Sequence, residues 1–274
     1  MRPAQSRYAR AVDEVRATAD RYSEDAAAYR EHWAPLLRAL GARLLDGLPL
    51  DKARRVLDLG AGVGFLLPEV RARAPRATVV GADRAPGMIS LAPREYPRLV
   101  ADAARLGLSD GAFNAVSMAF MLFHLPDPAT GLAEVRRILR PGGALGVSTW
   151  GQDGSFEAFD VWIEELDRHG AEADNPVPAN HDLMDTEAKL AGLLGDAGFE
   201  VETTATVPVD DRADLEEFVA RRLRLGYPKR RLDALDAETR AACIAGARAR
   251  LERLDAEAFV DRTPAVMAWA RRPG

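Results

Sequence analysis

The strongest constraint in this chain is a buried-strand pattern over residues 56–59 that runs directly into three alternate glycines, Gly60, Gly62 and Gly64. An apolar strand of this kind is typical of a parallel sheet that is covered on both faces. The glycines permit a tight turn and let a ligand approach the backbone closely. A helix predicted over residues 65–74 would point its first free N–H groups at the same place. The pattern therefore predicts a small-molecule site that favours an anionic group.

The glycine spacing weakens two common phosphate-binding interpretations. A dinucleotide motif requires G-x-G-x-x-G, and its third glycine would fall on Phe65. A P-loop requires Gly-Lys-Ser or Gly-Lys-Thr after the turn, and neither follows here. The spacing is G-x-G-x-G instead.

Two later strand patterns end in carboxylates. The first covers residues 77–83 and ends at Asp83, which is placed to accept hydrogen bonds from the two hydroxyls of a ribose. The second covers residues 98–103, where Asp102 can accept from the exocyclic amine of adenine while the N–H of Ala103 donates to the ring. Together they indicate an adenosine whose 5′ end carries something other than pyrophosphate.

The glycine turn and the two carboxylates belong to a series of four motifs, at residues 58–64, 81–88, 101–103 and 113–116. In this order the motifs resemble those of the class I S-adenosylmethionine-dependent methyltransferases, in particular the small-molecule enzymes related to quinone and sterol methyltransferases. The similarity covers about residues 50–150 and is weak outside them. It implies an α/β fold with a doubly wound, seven-stranded, Rossmann-like sheet, S-adenosyl-L-methionine as cofactor and S-adenosyl-L-homocysteine as product. Asn114 departs from the aspartate usual in the family, at a position that is generally structural. The similarity continues through residues 123–128 and 137–143.

The resemblance also implies a role for most residues of these motifs, and Arg84 is grouped with the cofactor-binding residues. The implied positions are Asp58 near the ammonium group; Gly60, Gly62 and Gly64 at the methionine portion; Asp83 at the ribose hydroxyls; Met88 on one adenine face; Asp102 and Ala103 at the adenine edge; and Ala119 and Phe120 close to the sulfonium.

The chain divides into a core with additions. Alternation of strands and helices predicts a parallel sheet with helices on both faces. The expected division is an N-terminal helical lid (1–48), a cofactor-binding core (49–150), a substrate-cover insertion (151–184) and the rest of the core (185–274) with a helical insertion (210–262). The predicted elements are strands 55–59, 77–82, 98–101, 113–119, 143–149, 199–209 and 265–271, and helices within 7–47 and over 64–74, 86–93, 128–139 and 186–197, with Asp185 as helix cap and a turn at residues 141–143.

Three histidines are candidates for catalysis. His124 follows the fourth strand, near the implied sulfonium, and is the first choice for a base if the acceptor is a hydroxyl; a structural role is an equal alternative. His32 in the lid and His181 in the first insertion are weaker candidates. The predicted substrate-binding side chains in the lid are Tyr22, Tyr29 and Trp33, and the alternative for each is that it only holds the lid helices on the sheet. Trp150 and Phe156, at the first insertion, are the other predicted substrate-binding residues.

Composition limits the partners. The 274 residues carry a net charge of −5, which gives no sign of the positively charged surface that binds nucleic acid. A small-molecule acceptor is therefore expected. Cys243 is the single cysteine, and four histidines without close helical pairing predict no metal site. No signal peptide or membrane span is evident, so we expect a soluble cytoplasmic protein, monomeric or homodimeric.

The leading functional hypothesis is methyl transfer to an O, N or C atom of a small, apolar or aromatic metabolite, as in secondary metabolism. One alternative keeps the cofactor fold for non-methylating chemistry, such as a cyclase or isomerase, or for regulatory binding. Another is a nicotinamide oxidoreductase, which the glycine spacing disfavours. Binding of S-adenosylhomocysteine and not of NAD separates the last alternative from the others.

Overall fold

The computed structural model describes residues 16–152, 154–172 and 179–274. These residues form two compact units. The first unit contains residues 16–151, 179–207 and 265–274, and the second contains 152, 154–172 and 208–264. Each insertion predicted from the sequence thus contributes most of its described residues to one common unit.

A seven-stranded sheet forms the centre of the first unit, in the order β3-β2-β1-β4-β5-β9-β6. The first five strands of that order are mutually parallel, and β9 runs antiparallel to both β5 and β6. This confirms the predicted doubly wound, seven-stranded α/β fold. The strands are β1 (Arg55–Leu59), β2 (Thr78–Asp83), β3 (Arg98–Val100), β4 (Phe113–Ala119), β5 (Leu139–Trp150), β6 (Glu200–Val207) and β9 (Ala265–Arg271).

Helices of the first unit pack against this sheet: α3 against β4 and β5, α4 against β2, and α8 against β6 and β9. Each buries an apolar stripe, such as Leu37, Leu40 and Leu44 on α3, and leaves its polar side exposed. The described helices are α1 (at least residues 16–24), α2 (Ala26–His32), α3 (Ala34–Asp46), α4 (Leu67–Arg73), α5 (Pro86–Ser90), α6 (Pro128–Ile138) and α8 (Glu187–Asp196).

Three local predictions need correction. The turn predicted at residues 141–143 is a bulge within β5, where five residues of β5 span two of β4 and Gly142 takes a φ of +71°. Helix α5 ends at Ser90 rather than at Pro93, because the residue before a proline is disfavoured in a helix. The cap of α8 is Thr186, whose hydroxyl accepts from the N–H of Lys189.

The N-terminal region is helical from residue 16, although turns at Asp25 and Trp33 divide it; residues 7–15 of the predicted helical segment lie outside the described residues. Helices α1 and α2 pack on α5 and on the glycine turn through a cluster that includes Ala26, Met88 and the ring of Tyr29. A Cβ on Gly87 would lie 2.5 Å from the carbonyl oxygen of Ser23, so the glycine lets α1 approach α5 backbone to backbone.

The second unit is built from helices around its own apolar core. Trp162, Phe218 and Leu251 are almost completely buried there. Within the described part of the chain, no helix is both long and apolar enough to cross a bilayer. The elements of this unit are α7 (Glu157–Arg168), α9 (Leu215–Arg224), α10 (Gly226–Asp233), α11 (Ala237–Leu251) and the short strands β7 (Asp211–Arg212) and β8 (Val260–Asp261), which pair antiparallel.

Candidate functional site

A cavity of about 840 Å³, including its open mouth, lies in the first unit at the carboxyl ends of β1, β2 and β4, where open α/β sheets bind ligands. Helices α1 and α2 contribute part of its wall. The lining residues are Thr18, Ala19, Tyr22, Tyr29, Leu59, Gly60, Gly62, Phe65, Asp83, Arg84, Ala85, Met88, Ala101, Asp102, Ala103, Ala119, Phe120, Met121, His124 and Leu125.

The three glycines after β1 have different structural roles. All take positive φ angles, +78°, +55° and +77° in chain order, which other residues rarely adopt. A Cβ on Gly60 would lie 2.5 Å from Met121, and one on Gly64 would lie 2.6 Å from Ala92, so these two glycines permit close packing. A Cβ on Gly62 would instead project towards Met88 and Tyr29 on the cavity wall. Gly62 is therefore the glycine that leaves room for a ligand.

Asp83 ends β2 and is held in place by the backbone. One carboxylate oxygen accepts from the N–H of Gly62 at 2.7 Å, and the other accepts from the N–H of Ala85 at 2.8 Å. Burial raises the pKa of this carboxyl, and these backbone donors oppose the shift. Each oxygen keeps a further lone pair, so the group can still accept hydrogen bonds from a diol.

Asp58 is a buried carboxylate beneath the glycine turn, 2% exposed. One of its oxygens accepts from the hydroxyl of Ser117 on β4 at 2.8 Å. Burial raises the pKa of Asp58 to about 7, and the charge of Asp83 adds to the shift while the Ser117 hydrogen bond opposes it. Asp83 lines the cavity and Asp58 does not. Two neighbouring acids, one on the cavity wall and one buried beneath it, favour a ligand that brings positive charge.

Asp102 and Arg84 form an ion pair at the cavity wall, with 3.4 Å between the guanidinium nitrogen and the carboxylate oxygen. Asp102 also accepts from the N–H of Ala104 at 3.0 Å. Both side chains are about one third exposed, so the pair lies at the rim. Ala103 and Met88 line the same cavity and are buried.

An aromatic wall faces the glycine turn. Tyr22 and Tyr29, from α1 and α2, pack edge to face with ring centroids 6.0 Å apart. The hydroxyl of Tyr22 lies 3.0 Å from Nε2 of His124, the residue that ends the short 3₁₀ helix after β4. Burial, followed by the charges of Tyr22, Asp83 and Asp58, raises the pKa of Tyr29 well above its ordinary value. Tyr29 is therefore a neutral phenol.

Of the three candidate histidines, His124 lines the cavity. Burial, and then the charges of His181 and Arg21, lowers the pKa of His124 to about 3, so its imidazole is neutral at physiological pH. His181 stacks on Phe123 at 4.0 Å between ring centroids, and the other ring neighbour of Phe123 is His124 at 4.3 Å. His181 and His32 are not among the lining residues of the cavity.

The aromatic residues predicted to bind substrate fall into three groups. Tyr22 and Tyr29 line the cavity. Trp150 lies behind Phe120, with centroids 4.5 Å apart, and 6.3 Å from Trp33. Phe156 belongs to the second unit, where its ring lies 6.0 Å from that of Phe218. Phe156 therefore packs with the aromatic residues of the second unit and is not among the lining residues of this cavity.

Two further positions complete this description. Phe120 adopts a positive φ of 54°, which is a strained conformation for a bulky residue. The chain leaves β4 at this residue, and Ala119 and Phe120 both line the cavity. Asn114 accepts from the N–H groups of Arg54 and Arg55, both at 2.9 Å. This confirms that Asn114 has a structural role, since it fastens the start of β1 to β4.

Sequence reasoning missed several wall residues. Thr18 and Ala19 lie one helical turn before Tyr22, so the periodicity of α1 was the available signal. Phe65 follows the last glycine of the turn, and Met121 and Leu125 surround His124 in the sequence. Their place in the wall depends on a loop conformation that no local pattern indicates.

Comparisons with known proteins agree with this architecture. A family model described as a methyltransferase domain matches residues 57–147. The chain is 45% identical over 108 residues to a demethylmenaquinone methyltransferase of Thermus thermophilus, across 36% of this chain and 49% of that protein. A demethylmenaquinone methyltransferase of Beutenbergia cavernae is 31% identical over 168 residues, across 57% and 69% of the two chains.

The solved structure of a methyltransferase described as putative, from Bacillus halodurans, superposes with a TM-score of 0.56 at 20% identity, and covers 85% of this chain and 98% of that one. Fold and cavity together define a Rossmann-like, S-adenosylmethionine-binding class of protein. This chain belongs to the class I S-adenosylmethionine-dependent methyltransferase family related to the quinone methyltransferases, and S-adenosylmethionine is its cofactor. It spans about half the length of the first curated relatives that it matches.

Proposed function

We propose that this protein transfers a methyl group from S-adenosylmethionine to an O, N or C atom of a small, apolar or aromatic metabolite. The observation that carries the proposal is one cavity in which Asp83 and a glycine turn lie opposite an aromatic wall, with Asp58 buried beneath the turn. Membership of the methyltransferase family supports the same reaction.

The residues present fit the cofactor. Burial raises the pKa of the Asp58 carboxyl. An ammonium group beside it would supply a neighbouring positive charge and favour the ionised carboxylate. Asp83 offers free lone pairs for ribose hydroxyls, and the absence of a side chain on Gly62 leaves room beside Met88 and Tyr29 on the cavity wall. Met88 and Ala103 provide apolar and N–H contacts for a base. When bound, S-adenosylmethionine supplies a methyl group that a positively charged sulfur has already activated.

The wall of the cavity positions the acceptor and keeps water out. Tyr22, Tyr29, Phe65 and Phe120 present aromatic surface, which favours a flat apolar molecule and excludes solvent from the transfer. Demethylmenaquinone, the molecule in the names of the relatives, supports a quinone-type acceptor. We therefore place quinols and phenols first among acceptors to test.

His124 is the proposed catalytic residue, because it is the candidate histidine on the cavity wall. Its imidazole is neutral, and the hydroxyl of Tyr22 can donate to Nε2. A pKa of about 3 makes it a weak proton acceptor, so its main contribution is to hold and orient a hydroxyl of the acceptor. His181, stacked behind Phe123, and His32 are secondary candidates.

The test is a transfer assay with methyl-labelled S-adenosylmethionine and a panel of quinols, phenols, amines and aromatic acids. We expect formation of S-adenosylhomocysteine together with label in one class of acceptor, and His124→Gln should lower kcat by about 100-fold, the lower end of the usual contribution of a positioned acid or base. Asp51→Asn, an exposed substitution, is the control. Tight binding of S-adenosylhomocysteine without label transfer to any acceptor would contradict methyl transfer and favour a cyclase, an isomerase or a regulatory protein.

A further inference from the structure

The second unit contains a cation surrounded by aromatic rings. The guanidinium carbon of Arg222 on α9 lies 4.7 Å from the ring centroid of Phe218, 4.8 Å from that of Phe159 and 5.9 Å from that of Phe156. The ring of Phe156 lies 5.8 Å from that of Phe159 and 6.0 Å from that of Phe218. These four residues are named the Arg222 cluster. Phe218 is buried, whereas each of the other three residues keeps part of its surface exposed to solvent.

Arg222 has no hydrogen-bond or ion-pair partner among the described residues, and its Nε atom is buried without an acceptor. Its neighbour Arg221 differs, because Arg221 pairs with Asp211 at 2.5 Å. The two carboxylates whose charges favour ionised Arg222 are Asp261 and Asp211. Asp261 accepts from the N–H and hydroxyl of Thr263, and Asp211 is bound by Arg221. Neither acid neutralises Arg222.

An unpaired guanidinium in this setting is costly to the folded protein. Burial lowers the pKa of Arg222 to about 10, which shows that the surroundings disfavour its charge. Ring faces compensate in part through cation–π attraction, but they accept no hydrogen bond from the buried Nε–H of Arg222. A carboxylate matches the planar fork of a guanidinium and satisfies two N–H groups at once.

We propose that the Arg222 cluster binds the carboxylate of an aromatic or otherwise flat, unsaturated acid. The guanidinium takes the acidic group, while the partly exposed rings of Phe156 and Phe159 contact the flat body of the molecule. The cluster is a binding site in its own right.

The test is equilibrium binding of matched pairs to the full-length protein by calorimetry. The probes are trans-cinnamate against cinnamamide, and 2-naphthoate against 2-naphthamide, which differ in the charged group. Wild type is expected to bind each acid at least 10-fold more tightly than its amide. Arg222→Met, which keeps the length of the side chain against the rings, is expected to lose this preference, and Arg222→Lys to retain part of it.

Controls separate this outcome from misfolding and from the proposed function. Arg253→Met, at an exposed arginine of the same unit, should leave the preference for acids unchanged. Affinity for S-adenosylhomocysteine is measured on every variant, and equal affinity in wild type and Arg222→Met shows that the first unit is folded. The melting temperature reports on the whole chain. If wild type does not bind S-adenosylhomocysteine, the proposed function is refuted and the Arg222 site is not. Should Arg222→Met melt at a lower temperature, Arg222→Gln provides the same comparison. The site is overturned if wild type does not prefer acids over amides, or if a folded Arg222→Met or Arg222→Gln keeps that preference.

Discussion

At the scale of single residues, Asp58 links the stability of the protein to its ligand. Its folded-state pKa of about 7 lies above the ordinary value of 3.8, mainly because the group is buried. Between these two values the folded protein holds a proton that the unfolded chain has lost. The contribution of Asp58 to the free energy of unfolding is therefore fully present below about pH 4, and it decreases as pH rises to about 7.

Replacing Asp58 with asparagine should remove this pH dependence. One pKa unit corresponds to about 1.4 kcal/mol, so the shift amounts to about 4 kcal/mol at most. We expect the free energy of unfolding of Asp58→Asn, minus that of wild type, to increase by about 2–4 kcal/mol from pH 4 to pH 8, because only wild type loses the contribution of the protonated carboxyl; urea denaturation without ligand measures it. The same substitution should weaken binding of S-adenosylhomocysteine, because it removes the anionic partner of an ammonium group.

Asp51→Asn is the matched control, since Asp51 is exposed and lies just before β1. Its difference from wild type should be the same at both pH values. A pH-independent difference for Asp58→Asn would show that the carboxyl is ionised in the folded protein across this range, contrary to the burial argument.

At the scale of elements, the contact between α1 and α5 supports one side of the cavity. Gly87 and Ser23 meet backbone to backbone, and the N–H of Gly87 donates to the hydroxyl of Ser23 at 3.1 Å. Helix α1 also contributes Thr18, Ala19 and Tyr22 to the cavity wall. A change at this contact therefore acts on the site without touching the sheet.

Gly87→Ala is expected to displace α1 and to weaken S-adenosylhomocysteine binding by about 10-fold, because an added Cβ would lie 2.5–2.7 Å from backbone and side-chain atoms of Ser23. The measurement is calorimetric titration, with the melting temperature as a check on the fold. Gly192→Ala on α8 is the control, since no atom lies within 4 Å of the added Cβ there. Unchanged affinity in Gly87→Ala would mean that α1 does not form part of the binding site.

Elements whose limits are set by neighbouring residues in the sequence could be predicted, whereas features set by hydrogen bonds to distant residues could not. The limits of β1 and β9 were correct because Gly60 follows the apolar run of β1 and Pro264 precedes that of β9. The limits of β4 were also correct, although apolar residues continue to Phe123. The bulge around Gly142 was mistaken for a turn, because its strand character comes from pairing with β4 and with Arg272. A short stretch of sequence does not indicate such long-range hydrogen bonds.

At the scale of the whole molecule, the sequence motifs located the cavity but not the second unit. Gly62, Asp83 and His124 were identified from strand ends, and the fold brings strand ends together along one edge of a sheet. Phe156 was assigned to a substrate cover because aromatic residues cluster near it. Its packing against Phe218, some sixty residues away, depends on the two insertions folding into one unit, which no local pattern indicates.

The central claim is a pocket that binds S-adenosylmethionine through the acid at the end of β2. Calorimetric titration of the full-length protein with S-adenosylhomocysteine, compared between wild type and Asp83→Ala, tests it most directly. The account predicts one site per chain in wild type and affinity lowered at least 10-fold in Asp83→Ala, since hydrogen bonds to a charged group contribute about 1.5–3 kcal/mol. Absence of binding in wild type, or equal affinity in a folded Asp83→Ala, would contradict it.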